Sequence, residues 1–121
     1  MSKIKKIIAR QIFDSRGNPT VETDVITSND IKVGKMLDHG CASGCTMIPW
    51  INEGWQCHGI DPHRPSVQLG NELGLKIKIA SGEKLPFKDN SFDLVLSLGS
   101  LEHSYDFEAS MIEIRRVLKN N

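Results

Sequence analysis

The hydrophobic rhythm of this chain changes once along its length. Up to about residue 26, apolar and polar positions alternate with the period of two that a half-buried strand requires. Residues 3–13 read KIKKIIARQIF, and in TVETDVI (20–26) Val21 and Val25 fall on one side while Glu22 and Asp24 fall on the other. Between them DSRGNP puts Asp, Ser, Gly, Asn and Pro into one short run, which predicts a β-hairpin with a longer loop. A hairpin alone is marginal in water, so it needs a surface to pack on. Residues 27–34, TSNDIKVG, are polar and end in glycine; they read as a junction.

Beyond the junction, strand and helix signals alternate. A short strand is predicted at 35–38. A helix should start at Ser43 or Gly44 and run to about Glu53, with Gly54 as its stop and Pro49 tolerated in its first turn. A second strand at 55–60, a helix from Ser66 to Leu73 before Gly74, and a third strand at 75–80 (LKIKIA) follow. After a polar loop, SFDLVLSLG is apolar enough to predict a strand buried on both faces. Asp106 can cap a last helix that would turn Phe107, Met111, Ile114 and Leu118 toward the sheet. The order β-α-β-α-β-loop-β-α predicts an α/β fold: a Rossmann-like, doubly wound parallel sheet of about four strands, preceded by the hairpin. The expected division is a hairpin at 1–28, a junction at 29–34 and the α/β unit at 35–121. A further parallel strand should follow the last helix, so the sheet reads as truncated, with an apolar, unprotected edge at its fourth strand. The hairpin could pair with that edge, within one chain or between two.

Composition narrows the partners. Fifteen basic and fifteen acidic residues cancel, which argues against a nucleic-acid or membrane surface; Lys3, Lys5 and Lys6 are too few for a nucleic-acid stripe. No apolar run approaches the roughly 20 residues of a membrane span, and the start MSKIKKII has no signal-peptide core, so the expected compartment is cytoplasmic. Cys41, Cys45 and Cys57 make an odd count without a disulfide framework. With His58 they could be drawn as a metal site, but no paired C-x-x-C knuckle exists, and buried small apolar cysteines are the preferred reading; no metal is expected.

The chemistry concentrates in residues 36–61, MLDHGCASGCTMIPWINEGWQCHGID. An apolar strand ends in Asp38, a glycine-bearing loop follows, then a helix, then a second strand ending in Asp61. Glycines at such a loop let a ligand approach the backbone, and a carboxylate one helix and one strand further on can accept from a ribose hydroxyl. This order predicts a nucleoside site. The bland alternatives are a tight strand-to-helix turn for the glycines and a loop or cap acid for Asp61. Trp50 and Trp55 read as packing residues, and the run Glu113, Arg115, Arg116 as the solvated face of the last helix.

From about Ile31 onward the chain resembles the class I S-adenosylmethionine-dependent methyltransferases, in particular those acting on small molecules. LDHGCASG resembles the motif that holds the methionine end of the cofactor, with Ala42 where the family has its central glycine. That alanine is tolerable if its φ is negative and no ligand needs the Cβ space. HGIDPH resembles the end of the second strand, with Asp61 as the ribose acid. SGEKLPFKDNSFDLVLS resembles the next block, with Ser81 where the family often has Asp near the adenine. LGSLEHSYD and MIEIRRVLK resemble the following loop and helix. The resemblance implies S-adenosyl-L-methionine as cofactor, held by Asp38, Gly40, Cys41, Ala42, Ser43, Gly44, Asp61, Pro62, Ser81, Gly82, Glu83 and Ser97. Leu85 and Phe87 could close over the adenine or fill the core. His103, with Glu102, lies where a methyl acceptor would sit and could serve as general base.

The first 28 residues are instead similar to the opening of enolase, through KIIARQIFDSRGNPTVETDV. That resemblance implies a hairpin and no enolase activity, since the family's catalytic acid, base and magnesium ligands belong to its later barrel. The chain thus reads as a chimera. The favoured function is a partial methyltransferase domain that binds S-adenosylmethionine and, if active, transfers a methyl group to a small-molecule acceptor. The alternatives are a non-catalytic binding or assembly module that forms homo-oligomers through exposed strand edges, and an enolase in name only.

Overall fold

A computed structural model describes residues 4–13, 16, 17, 19–27 and 33–120. The chain divides into two compact units, Met1–Ile31 and Lys32–Asn120. In the first, β1 (Ile4–Phe13) and β2 (Pro19–Thr27) pair antiparallel, from Phe13 opposite Pro19 to Ile4 opposite Thr27. The predicted hairpin is present. Lys3, the turn residues Asp14, Ser15 and Asn18, and most of the junction (28–32) lie outside the described residues.

The second unit is the predicted parallel α/β fold. β3 (Lys35–His39) leads through a 3-10 turn, Cys45–Met47, into α1 (Ile48–Asn52). β4 (Gln56–Asp61), α2 (Arg64–Glu72), β5 (Ile77–Ile79), β6 (Leu94–Leu96) and α3 (Phe107–Val117) follow. The four strands run parallel in the order β5-β4-β3-β6. Pro49 and Pro65 sit in the first turns of α1 and α2, where a helix has no use for the missing N–H. Asp106 caps α3 as predicted, its carboxylate accepting from the Ala109 N–H at 2.9 Å.

Side chains alternate across β3, so the unit has two cores. Met36 joins Cys41, Met47, Cys57, Val67 and Ile77 in one; Trp50 and Trp55, edge to face with ring centroids 5.5 Å apart, pack against it. Leu37 joins Ile60, Leu85, Phe92 and Val117 in the other. Leu85 is thus a core residue and not an adenine lid. Phe87 packs on the same cluster with its ring edge-on to Phe92, 4.9 Å away.

Several expectations fail here for physical reasons. β6 is half-buried along its length and not enclosed on both faces, because it is an outer strand of the sheet. Among the described residues β6 ladders with β3, and β1 with β2. α3 buries Ser110 and Val117, whereas Phe107 and Met111 are exposed. The helix is rotated to bring Glu113 and Arg116 onto the preceding loop. Arg116 donates to Glu113, to Asp89 and to the carbonyls of Phe87 and Leu85, while Glu113 accepts from the Leu85 N–H. Of the charged run read as a solvated face, only Arg115 is exposed.

The two sheet edges differ. At β5 the outward N–H and C=O of Ile77 are both taken by the side-chain amide of Asn71, at 3.0 and 3.1 Å, which blunts that edge as a partner strand would. At β6 the base of the edge is engaged, where Leu118 bridges Phe92 in parallel. Among the described residues no helix is long and apolar enough to cross a membrane.

Candidate functional site

Because all four strands run the same way, their carboxyl ends and the loops that follow share one edge of the sheet. The loop after β3 is fastened to β4, with the N–H groups of Gly40 and Cys41 both donating to the Ile60 carbonyl at 2.9 and 3.0 Å. The loop then turns so tightly that Gly40, Ala42 and Gly44 all have left-handed φ, +76°, +50° and +83°. Gly40 also has no room for a side chain, since a Cβ would lie 2.2 Å from the Ser100 Cβ. The condition set for an alanine at position 42, a negative φ, is not met: the tight turn imposes the left-handed region there, and the exposed alanine bears the strain.

The structure brings together the loop and the acid that the sequence separates. One oxygen of Asp61 accepts from the Ala42 N–H and the other from the His63 N–H, both at 2.8 Å. A carboxylate has about four lone-pair sites, so two backbone donors leave capacity for a ligand's hydroxyl groups. Pro62 is exposed beside it. Asp38 is different: it is 1% exposed, burial pushes its carboxyl above the ordinary range, and the Thr46 hydroxyl bonds to it. It braces the first helical turn from below. Cys41 and Cys57 are buried in the core and Cys45 is exposed; burial, first, and the Asp38 charge, next, push the Cys41 thiol up to about 12. Such a thiol is inert at neutral pH. Among the described residues no three His, Cys, Asp or Glu side chains gather as a metal site.

The loop after β5 carries Ser81, Gly82 and Glu83. Glu83 is neither free nor merely solvated. It accepts from Ser81 and, across the chain, from the N–H groups of Tyr105 and Asp106 at 2.9 and 3.3 Å. The Ser81 hydroxyl first, then its own backbone N–H and those of Asp106 and Tyr105, pull its carboxyl down to about 2. A carboxyl depressed on folding stabilises the fold above its unfolded value and loses that contribution as pH falls through the folded one. Stability should therefore drop between about pH 4.5 and 2 by a component that Glu83→Gln abolishes. Urea unfolding at pH 6, 4, 3 and 2.5 measures it; parallel profiles for the two proteins would refute the role.

After β6, Ser97 and Ser100 bond to each other at 2.7 Å and to His39. Glu102 and His103 occupy the following 3-10 turn, Leu101–His103, and both are exposed. The sequence reading missed His39, Thr46 and Ser100. For His39 the sequence carried no signal, since its partners Ser97 and Ser100 lie far along the chain. Open clefts also flank α2 and β5, lined by Arg64, Asn71 and Ile79 or by His58, Lys76 and Lys78.

Residues 37–121 match the family described as a methyltransferase domain. Among curated proteins, the sterol 4-C-methyltransferase strm-1 of Caenorhabditis elegans is 33% identical over 91 residues, covering 69% of this chain and 27% of its own length. An enolase of Solanum lycopersicum is 54% identical over 44 residues, 36% of this chain but 10% of the enolase. Among solved structures, a protein of Methanococcus maripaludis described as an S-adenosyl-L-methionine-dependent methyltransferase superposes with TM-score 0.70 at 22% identity, covering 74% of this chain and 45% of that one; this likeness concerns the fold. The chain spans less than half the length of each of these proteins.

Proposed function

The chain belongs to the methyltransferase-domain family, whose cofactor is S-adenosyl-L-methionine, and we propose that its second unit binds that cofactor at the carboxyl edge of the sheet and serves methyl transfer to a small-molecule acceptor. The observation that carries this reading is the Asp61 carboxylate bonded to the Ala42 N–H, which fixes the distal acid against the glycine loop. The donor set suits the group: a two-oxygen acceptor for ribose hydroxyls and a loop whose backbone a ligand can approach.

Bound there, S-adenosyl-L-methionine supplies a methyl already activated on a sulfonium. The residues then need only position and exclude water. Gly40, Cys41, Ala42, Ser43 and Gly44 form the methionine-side wall, with Asp38 bracing it. Asp61 and Pro62 take the ribose side; Ser81, Gly82 and Glu83 take the adenine side, and Ser97 the floor. His103, with Glu102 beside it, stands exposed past β6 and takes the acceptor's proton. The sterol-modifying relative favours an apolar acceptor. The enolase-like hairpin contributes no chemistry in this reading.

Calorimetric titration with S-adenosylhomocysteine tests the proposal. Saturable binding is expected, weakened at least about tenfold by Asp61→Ala and less by Asp61→Asn, which keeps an acceptor for one backbone N–H. A folded wild-type chain that does not bind would overturn it.

A second reading rests on β6. Among the described residues the outward N–H and C=O of Leu94 and Leu96 are unpaired, and Phe107, Met111 and Ile112 are exposed nearby in sequence on α3. Such an edge can pair with another copy as an assembly module. Sedimentation of the chain over a range of concentrations separates a monomer from an edge-paired dimer.

A further inference from the structure

His39 is 3% exposed, and Nε2 of its ring is a buried polar atom with no hydrogen-bond partner among the described residues. Its other nitrogen can be assigned from the hydroxyls around it. The Ser100 hydroxyl donates its single proton to the carbonyl of His39 itself at 2.7 Å. Ser100 Oγ must therefore accept in its other contacts: from Ser97 Oγ at 2.7 Å and from His39 Nδ1 at 3.1 Å. Nδ1 therefore carries a proton, and Nε2 is the ring atom left without a partner. The same assignment speaks against a serine nucleophile here, because a base activating Ser100 would need a bare Nδ1.

That nitrogen faces Gly82. A Cβ on Gly82 would lie 2.3 Å from Nε2 and 2.6 Å from Cε1, so the edge of the imidazole fills the notch that the glycine leaves. On the opposite side, Gly40 closes on Ser100, whose hydroxyl bonds to the same ring. One side chain thus sets the separation of the loops after β3, β5 and β6.

We infer that His39 is a positioning residue of the cofactor site, holding the Ser81–Glu83 loop against the glycine loop through its Nδ1–H bond to Ser100 and the seat of its ring edge on Gly82. The inference rests on the cofactor reading above, and it names a residue that touches no ligand itself. A purely space-filling role would be met as well by leucine. A positioning role needs the hydrogen bond, and asparagine can supply its N–H to Ser100.

The experiment uses the full chain. Nitrogen NMR of the imidazoles should show His39 with a pyrrole-like Nδ1 and a pyridine-like Nε2. His39→Leu should weaken S-adenosylhomocysteine binding about tenfold while unfolding stays cooperative, and His39→Asn should recover most of the loss. Gly82→Ala should also weaken binding, and the defects of Gly82→Ala and His39→Ala should be less than additive, since the smaller residue vacates the notch. If His39→Leu binds as tightly as wild type, or leucine and asparagine bind alike, the positioning role is wrong while the cofactor reading stands. If wild type fails to bind, that reading falls and this inference with it. A proton found on Nε2 and not on Nδ1 would overturn the assignment directly. Should His39→Leu fail to fold, the Gly82→Ala and His39→Asn titrations decide the matter.

Discussion

Replacing Arg116 by alanine should cost about 3 kcal/mol of stability, the largest effect expected of any charged position here. The guanidinium grips Glu113 with two parallel bonds of 2.7 and 2.8 Å, and its remaining donors reach the Phe87 and Leu85 carbonyls at 2.8 and 3.1 Å. Glu113 in turn accepts from the Leu85 N–H at 2.7 Å. The Glu113 side chain is only 16% exposed, so losing its partner strands a carboxylate, while the carbonyls of a loop that carries Leu85 and Phe87 into the core lose their donor. The bond to Asp89 adds little, since that carboxylate is 70% exposed and well screened. Arg115→Ala, one residue away and exposed, should change stability by no more than about 0.5 kcal/mol. Urea unfolding followed by two probes measures both; a cost below about 1 kcal/mol for Arg116→Ala would mean the loop holds without its clamp.

This pair also shows where sequence reading stops. The signals that were legible are local. Strand–helix alternation, Pro49 in a first turn, Asp106 as a cap and the interval from the glycine loop to Asp61 each follow from one segment's own chemistry, and each is present in the structure. The rotation of α3 was not legible. Phe107, Met111, Ile114 and Leu118 make a convincing apolar stripe, but the helix is also held by Arg116 and Glu113 reaching residues about 30 positions earlier, and a stripe carries no record of that demand. Asn71 closing the β5 edge and His39 beneath the loops were invisible for the same reason. Each acts on backbone that the sequence places elsewhere.

The candidate site follows that division. Asp38, Gly40, Gly44 and Asp61 announce themselves by order and spacing, because a strand-to-loop turn must be built from particular residues. Glu83 and Ser97 are named by the resemblance alone, because their partners, Tyr105, Asp106, Ser100 and His39, become neighbours only when parallel strands align their carboxyl ends. The chemistry of the edge is thus assembled from residues that are ordinary one by one.

Two substitutions in the same loop should move stability in opposite directions. Gly40→Ala is expected to cost about 3 kcal/mol: roughly 1–2 for an alanine held at a left-handed φ and a further 1–2 for the overlap with Ser100. The φ is +76°, and the new Cβ would meet the Ser100 Cβ at 2.2 Å and its Oγ at 2.6 Å, contacts that no rotation of a methyl can relieve. Ala42→Gly should instead gain roughly 0.5–1 kcal/mol, because φ +50° strains the exposed alanine and removing its Cβ leaves no buried hole; the greater freedom of glycine in the unfolded chain offsets part of the gain. Denaturant midpoints at unchanged slope report both. The contrast extends to ligand binding. Gly40→Ala displaces Ser100 and with it the bond to His39, so S-adenosylhomocysteine affinity should fall together with stability. Ala42→Gly keeps its N–H on Asp61 and should bind at least as tightly as wild type. If both variants lost affinity equally, the Cβ of Ala42 would be part of the ligand's surroundings, and the loop would be reading its cofactor through that methyl as well as through its backbone.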